Sequence, residues 1–204
     1  MFLYFLTWML VALTPGPAVL CSMTQATRHG FRSSLAGIAG IQTGNALFFL
    51  CVALGLATLL ATATTAFTVL RIAGAIYLFY LGTKILLGTF RRKAGPTKTE
   101  TPVPPDHRSL FMQGLLIQLT NPKALLFVSA LLPQFIDPAR AAVPQLLGLL
   151  AITIAVDTVV LSTYALGADR GSRTLRGSRV TRWLERACGS ALLFFGARLL
   201  AAKK

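Results

Sequence analysis

The chain has 204 residues, of which 54% are apolar, and its mean hydropathy is +0.67. Soluble domains of this size rarely exceed about 50% apolar residues. The net charge of +14 could suit nucleic acid, but the basic residues lie between apolar blocks instead of forming a charged face, so we expect no nucleic-acid partner. Residues 1–27 and 33–70 contain no charged side chain, which predicts an all-α, polytopic membrane protein.

In chain order, the apolar blocks predict about six transmembrane helices, because a helix needs about 20 apolar residues to cross the bilayer. Their expected positions are residues 2–24, 34–60, 66–89, 110–135, 142–167 and 184–202. The first block lacks the basic start of a signal peptide, so we expect it to be retained as a helix. Basic loops at 28–32, 91–108 and 170–182 alternate with loops poor in lysine and arginine. The positive-inside rule then puts the basic loops in the cytoplasm and both termini in the periplasm.

Two sequence matches divide the chain into halves. LTPGPAVL at residues 13–20 aligns with LTNPKALL at 119–126, and YLGTKIL at 80–86 aligns with FFGARLL at 194–200. We therefore predict a first three-helix repeat at 1–90, a proline-rich cytoplasmic linker at 91–109, and a second three-helix repeat at 110–204. An odd number of spans in each half makes the repeats inverted, an arrangement typical of secondary transporters.

The first match contains a predicted helix break. Pro15, Gly16 and Pro17 follow Thr14 in the first apolar block, and proline removes a backbone donor from a helix. The half-helix beginning near Pro17 would then point its positively polarised N-terminus inward, where it suits a carboxylate. A purely structural kink is the alternative interpretation.

Three polar residues form the counterpart in the fourth block. Asn121 and Pro122 predict a second break, and Lys123 places a cation inside an apolar segment. A charge at the bilayer centre costs about 2.5–3.5 kcal/mol, so such a residue indicates function. Lys123 could bind a substrate carboxylate, or its side chain could extend to a nearby interface.

Asp157 is an acidic residue in the middle of the fifth block. A buried carboxyl group there could bind a substrate ammonium, carry the coupling proton, or form a static pair with Lys123. Gln42 and Asn45 lie three residues apart on one face of the second helix. They could line the same cavity or make hydrogen bonds between helices.

Several classes of site have no counterpart in the sequence. The three cysteines, Cys21, Cys51 and Cys188, lie in apolar blocks without a CxxC motif, and we expect buried, unpaired thiols. No metal-ligand spacing and no nucleotide-binding motif occurs. We therefore expect no metal, no cofactor and no enzymatic activity, and an ion gradient is a simpler driving force than ATP.

The chain resembles the lysine-exporter family of bacterial amino-acid efflux proteins, of the LysE/RhtB type. The resemblance lies in TPGPA at residues 14–18, in Gln42, Gly44 and Asn45, in YLG at 80–82 with Lys84, in NPK at 121–123, and in LPQF at 132–135. It implies export of amino acids or their derivatives from a bacterial cytoplasm, across the inner membrane, driven by the proton motive force.

We therefore expect a proton-coupled exporter that works by alternating access, with amino acids, protons and membrane lipids as partners. The predicted substrate site comprises Thr14, Pro15, Gly16, Pro17, Gln42, Asn45, Asn121, Pro122, Lys123 and Asp157, and Asp157 is the predicted coupling residue. Whether the protein forms a homo-oligomer is left open. The alternatives are an inorganic cation exporter of the same superfamily, a membrane enzyme or electron carrier, and a membrane scaffold without transport.

Overall fold

The computed structural model describes residues 1–54, 64–91, 106–137, 139–174 and 179–201. These residues form helices and short connections without a strand, which confirms the predicted all-α class. The helices are α1 (Phe2–Leu13), α2 (Pro17–His29), α3 (Phe31–Ala53), α4 (Thr64–Arg91), α5 (His107–Leu119), α6 (Pro122–Leu126), α7 (Ala142–Thr174) and α8 (Arg179–Ala201). The predicted linker at 91–109 falls largely outside the described residues, which resume just before α5.

Both predicted breaks are present, and they have similar local structure. Helices α1 and α2 are bent by 55° at their junction, and α2 and α6 each begin with proline at the first or second helical position, Pro17 and Pro122. Proline suits that position because its missing N–H would have no partner in the helix. At the end of each preceding helix a threonine hydroxyl donates to the carbonyl four residues back, over 3.1 Å from Thr14 and 2.8 Å from Thr120.

The fourth predicted span, 110–135, is not one helix. After α6 the chain continues as a π turn over Phe127–Leu131 and a 3₁₀ turn over Leu132–Phe135. Pro133 lies at the start of the 3₁₀ turn, where its lack of an N–H ends the regular hydrogen-bond ladder. The predicted loop at 170–182 is also shorter than expected, because α7 extends to Thr174 and α8 begins at Arg179.

Length and apolar composition identify some of the described helices as membrane spans. Phe31–Ala53 and Ala142–Ser172 are each long and apolar enough to cross a bilayer, and the bent pair α1 and α2 adds a third if it counts as one span. Ala75–Thr89 and Arg186–Ala197 are shorter apolar helices. The predicted number of six spans therefore stays a prediction.

Glycines bring α3 and α5 into close contact. A Cβ on Gly40 would overlap the backbone carbonyl of Phe111, and one on Gly44 would lie 2.8 Å from Cβ of Gln118. The glycine-rich face of α3 is thus a helix-packing face. Since the contacts advance together along both helices, α3 and α5 are parallel.

Helix α7 runs beside the first helix in the same direction. The hydroxyls of Tyr4 and Thr153 are hydrogen-bonded near one end, and the Tyr164 hydroxyl donates to the carbonyl of Leu13 over 2.9 Å near the other. Residue numbers increase together along the pair, so α1 and α7 are parallel.

Helix α7 is antiparallel to α3. Phe31, at the start of α3, shares a pocket with Asp169 near the end of α7, whereas Asn45 farther along α3 bonds Asp157. It follows that α1 and α5, the helices before the two breaks, run in opposite directions. This is the relation that inverted repeats require, although the repeat itself stays a prediction.

Helices α4 and α8 form an antiparallel pair that packs mainly with itself. A Cβ on Gly82 would lie 2.9 Å from the carbonyl of Gly189, and one on Gly196 would lie 3.3 Å from that of Ala75. The second sequence match, which contains Gly82 and Gly196, therefore corresponds to two close approaches within one helix pair.

Candidate functional site

Lys123 joins the two helix breaks. Its Nζ atom donates to the carbonyls of Val11 and Thr14, at 2.9 Å in each case, and so caps the C-terminal end of α1. A cation is favourable there because the last carbonyls of a helix lack partners and carry partial negative charge. Lys123 itself belongs to the first turn of α6, where its backbone N–H donates to the Asn121 side chain over 3.1 Å. One side chain thus connects the first break to the second.

Asp157 lies at the end of a buried chain of amides. Asn45 donates to Oδ2 of Asp157 over 2.9 Å, and the Asn45 carbonyl oxygen accepts a bond from Gln118. The Gln118 oxygen accepts in turn from Asn121 over 3.2 Å. Asp157 is 8% exposed, Asn45 3% and Gln118 2%, so the chain of hydrogen bonds runs through the interior from α7 to the second break.

A small cavity separates Asp157 from Lys123. Its volume is about 20 Å³, enough for about one water molecule. Asp157, Lys123 and Asn121 line it together with Trp8, Gln118 and residues near the start of α2. The indole N–H of Trp8 is buried in this wall beside Asp157, without the geometry of a regular hydrogen bond.

Lys123 and Asp157 do not form the static pair considered as an alternative. The Lys123 ammonium donates its hydrogen bonds to carbonyls, and the Asp157 carboxylate accepts one from Asn45. The two groups face one cavity as separate charges that interact through it. A basic and an acidic side chain therefore line the same cavity without bonding to each other.

The start of α2 adds further donors to the positive side. Pro17 occupies the first turn, and its N-cap residue, Gly16, has no side chain to accept a bond from the following N–H groups. The N–H groups of Ala18 and Val19 therefore have no acceptor within the helix, and both residues line the cavity. A Cβ at Gly16 would lie 3.6 Å from Nζ of Lys123, so the helix start and the ammonium are adjacent.

The structure brings most of the predicted site residues together. Asn121, Lys123 and Asp157 line the cavity, and Asn45 binds Asp157 directly. Gly16 and Pro17 are buried beside the cavity, Pro122 is half-buried at the second break, and Thr14 and Pro15 are exposed with the Thr14 carbonyl directed to Lys123.

Gln42, a predicted site residue, does not line the cavity. Its amide donates to the hydroxyl of Thr158 over 3.1 Å, and its oxygen accepts from Asn45 over 2.9 Å. Gln42 therefore positions the Asn45 side chain and links α3 to α7. This corresponds to the alternative in which Gln42 and Asn45 make hydrogen bonds between helices.

Sequence reasoning missed two residues of the site. Gln118 interrupts a run of aliphatic residues, LLIQL at 115–119, and that isolated amide was an available signal. Trp8 gave no signal, because a tryptophan near a membrane end is ordinary. Among the described residues, no group of three or more His, Cys, Asp and Glu side chains could hold a metal ion.

Comparisons with known proteins give a consistent family. The family model for LysE type translocators matches residues 9–203. The homoserine/homoserine lactone efflux protein of Salmonella typhimurium is 38% identical over 203 residues, which cover 99% of this chain and 96% of the relative. Its counterpart in Salmonella typhi is 37% identical with the same coverage.

A more distant relative is described in its own organism only as a membrane protein. This uncharacterized membrane protein of Vibrio cholerae is 34% identical over 200 residues, which cover 98% of this chain and 96% of the relative. No solved structure matches the chain. Since the family model and the relatives cover nearly all of its length, the chain belongs to the LysE family of translocators.

Proposed function

We propose that this protein exports amino acids and small amino-acid derivatives from the bacterial cytoplasm across the inner membrane, in exchange for protons. Homoserine and its lactone are the first substrates to test, because two relatives that match 99% of the chain are named as efflux proteins for them. Membership of a translocator family agrees with the prediction that the chain is not an enzyme.

The observation that carries this proposal is the opposite polarity of the two cavity walls. Lys123 and the start of α2 form one wall, and Asp157 belongs to the other. An amino acid carries a carboxylate and an ammonium only a few bonds apart, so a zwitterion can satisfy both walls at once.

The positive wall is suited to the carboxylate. An ammonium group has three N–H donors, and Lys123 uses two of its own on the carbonyls of α1. The third donor, together with the free N–H groups of Ala18 and Val19, gives a carboxylate several partners. Helix N-termini bind anions in this way without a second positive side chain.

The negative wall is suited to the ammonium and explains the proposed coupling. Asp157 has one oxygen bonded to Asn45 and no ion pair with Lys123. A buried carboxylate needs a compensating positive charge, and either a substrate ammonium or a proton can supply it. The substrate ammonium and the proton compete for the Asp157 carboxylate. The carrier therefore moves outward with substrate bound to the charged Asp157, and it returns inward with Asp157 protonated.

Alternating access requires the cavity to widen. At about 20 Å³ it is too small for an amino acid, so the structure corresponds to a closed state. The breaks at 14–16 and 120–121 are the places where the chain can bend without losing helical hydrogen bonds, since those bonds already end there. Under the positive-inside rule the basic ends of the helices face the cytoplasm, which leaves both termini in the periplasm.

Reconstitution into proteoliposomes tests the proposal. We expect uptake of radiolabelled homoserine driven by an imposed pH gradient, with no uptake in empty liposomes. Asp157→Asn should abolish gradient-driven uptake. A matched change, Asp137→Asn, alters an exposed residue that pairs with Arg140 over 3.1 Å on the surface, and it should leave uptake unchanged.

The alternatives give different results in the same preparation. Gradient-driven movement of a divalent metal ion instead of homoserine would indicate the cation exporter. No solute movement from a folded protein would indicate a scaffold. If Asp157→Asn transports homoserine at the normal gradient-driven rate, homoserine remains the substrate and Asp157 is not the coupling residue.

A further inference from the structure

A second, larger cavity lies between α2, α4 and α5. Its volume is about 140 Å³, against about 20 Å³ for the central cavity. Its inner wall is buried and its rim is exposed. The inner wall includes Cys21, Thr24 and Gln25, and the rim includes Arg28, His29 and Lys84. The cavity is therefore a depression that opens at the basic end of α2.

One face of α2 connects the two cavities. Ala18 lines the central cavity, whereas Cys21, Gln25 and Arg28 line the outer one. These residues are spaced by three or four positions, so they share one side of the helix. At a rise of about 1.5 Å per residue, the path from Ala18 to Arg28 is about 15 Å long. The two cavities thus lie on the same side of α2, and buried side chains of the apolar core separate them in this structure.

The rim is positively charged. Arg28 and Lys84 come from different helices, and none of the described residues that line the cavity is acidic. A depression whose described lining carries positive charge and no acid concentrates small anions.

The inner wall holds an acceptor that the protein leaves unsatisfied. Gln25 is 3% exposed, and its Nε2 donates to the carbonyl of Leu110 over 3.1 Å. Its Oε1 is buried beside Gly37 without a hydrogen-bond partner. Buried amide oxygens are nearly always bonded, and this one faces Gly37 of α3, so an N–H donor in the cavity would reach it only after the Gln25 side chain turns.

We propose that the outer cavity is a second substrate site, an entry site that receives an amino acid from the cytoplasm. The carboxylate binds at the rim beside Lys84 and Arg28, and the ammonium points inward toward Gln25. This inference rests on the proposed function for the substrate class and for the direction of transport. It adds a binding step before the central cavity opens, and it assigns a role to Lys84 that the central site does not use.

Inside-out membrane vesicles test the entry site, because they expose the cytoplasmic face. Lys84→Gln should raise the KM for homoserine about fivefold with unchanged maximal rate, as expected when an interaction of about 1 kcal/mol is lost. Lys84→Arg keeps the charge and should restore the KM. Arg32→Gln removes an exposed cation that lines a separate pocket, and it should leave the KM unchanged.

Homoserine lactone provides an internal control, since its carboxyl group is esterified and carries no negative charge. We expect Lys84→Gln to leave the KM for the lactone unchanged. An equal rise for both substrates, or an equal effect of Arg32→Gln, would overturn the entry site. So would an unchanged homoserine KM in Lys84→Gln.

The two proposals fail in different ways. If the unaltered protein transports neither homoserine nor any other amino acid, the proposed function is wrong and the entry site falls with it. If the unaltered protein transports homoserine and Lys84→Gln behaves like it, the entry site alone is wrong. A thermal unfolding curve for each variant separates loss of folded protein from loss of substrate affinity.

Discussion

Replacing Lys123 with methionine tests the connection between the two helix breaks. Methionine keeps most of the length and apolar volume of the side chain but has no donor and no charge. The change removes the bonds from Nζ to the carbonyls of Val11 and Thr14. It also removes the cation from the proposed carboxylate wall, so stability and transport should both fall.

The loss of stability can be worked out from the two bonds. A hydrogen bond to a charged group contributes about 1.5–3 kcal/mol. Lys123 is half-buried, so the lower value applies to each bond and the pair contributes about 3 kcal/mol. For a chain of this length, each kcal/mol corresponds to about 2–4 °C in Tm, so Lys123→Met should lower Tm by about 6–12 °C.

Tyr164→Phe is a matched comparison at the same end of α1. It removes one neutral bond, from the tyrosine hydroxyl to the carbonyl of Leu13 at 2.9 Å. Such a bond contributes about 1 kcal/mol, so we expect a Tm decrease of about 2–4 °C. Homoserine uptake should persist in Tyr164→Phe, because Tyr164 does not line the central cavity.

Thermal unfolding in detergent and homoserine uptake in proteoliposomes are the two assays. We expect Lys123→Met to unfold at lower temperature and to lose uptake even at a temperature where it is fully folded. Lys123→Arg, which keeps the charge, should recover part of both. A Tm equal to that of the unaltered protein would refute the capping role, and normal uptake in folded Lys123→Met would refute the carboxylate site.

Two further changes test the interior. Asn45→Ala leaves Asp157 without its hydrogen-bond donor, which should lower the free energy of unfolding by about 1–3 kcal/mol and slow homoserine uptake. Uptake and Tm equal to those of the unaltered protein would contradict the role of the amide chain. Gly40→Ala should lower Tm because its Cβ would overlap the Phe111 carbonyl, whereas Gly167→Ala meets nothing within 4 Å and should leave Tm equal or slightly higher, since alanine favours helices by about 1 kcal/mol. Equal unfolding temperatures for these two alanine variants would contradict the close packing of α3 on α5.

The helix breaks could be predicted from the sequence because their causes are local. Pro17 and Pro122 lack the N–H that a continuous helix needs at that point, whatever surrounds them. Both breaks therefore lie at the predicted prolines, and α2 begins at Pro17 and α6 at Pro122. The repeat predicted that the two breaks would lie close together. It did not predict that the Lys123 side chain would connect them.

The destination of Lys123 could not be predicted, because it depends on tertiary packing. The sequence offered a substrate, Asp157 or a membrane interface as partners, and the structure gives carbonyls at the end of α1. Those carbonyls lie 109 and 112 residues away along the chain. No periodicity of apolar residues identifies which helix end will lie beside a given side chain.

The amide chain shows a similar limit. Asn45 and Asp157 were recognised because polar residues in apolar helices are conspicuous, but which of their atoms would bond depended on how α3, α5 and α7 pack. The close approach of α3 and α5 at Gly40 brings Gln118 within reach of Asn45. Small residues indicate that a neighbouring helix comes close without indicating which helix it is.

The self-contained pairing of α4 with α8 has a mechanical consequence. Within the described residues, this pair touches the rest of the bundle chiefly through α2 and, more weakly, α5. Its described residues do not take part in the hydrogen bonds around Asp157, so a movement of this pair would leave those bonds intact. The outer cavity lies between this helix pair and α2, where Leu81 and Ile85 face α2. Moving this pair away from α2 would widen the outer cavity and separate the apolar cluster that contains Leu81 and Ile85, while the hydrogen bonds around Asp157 remained in place.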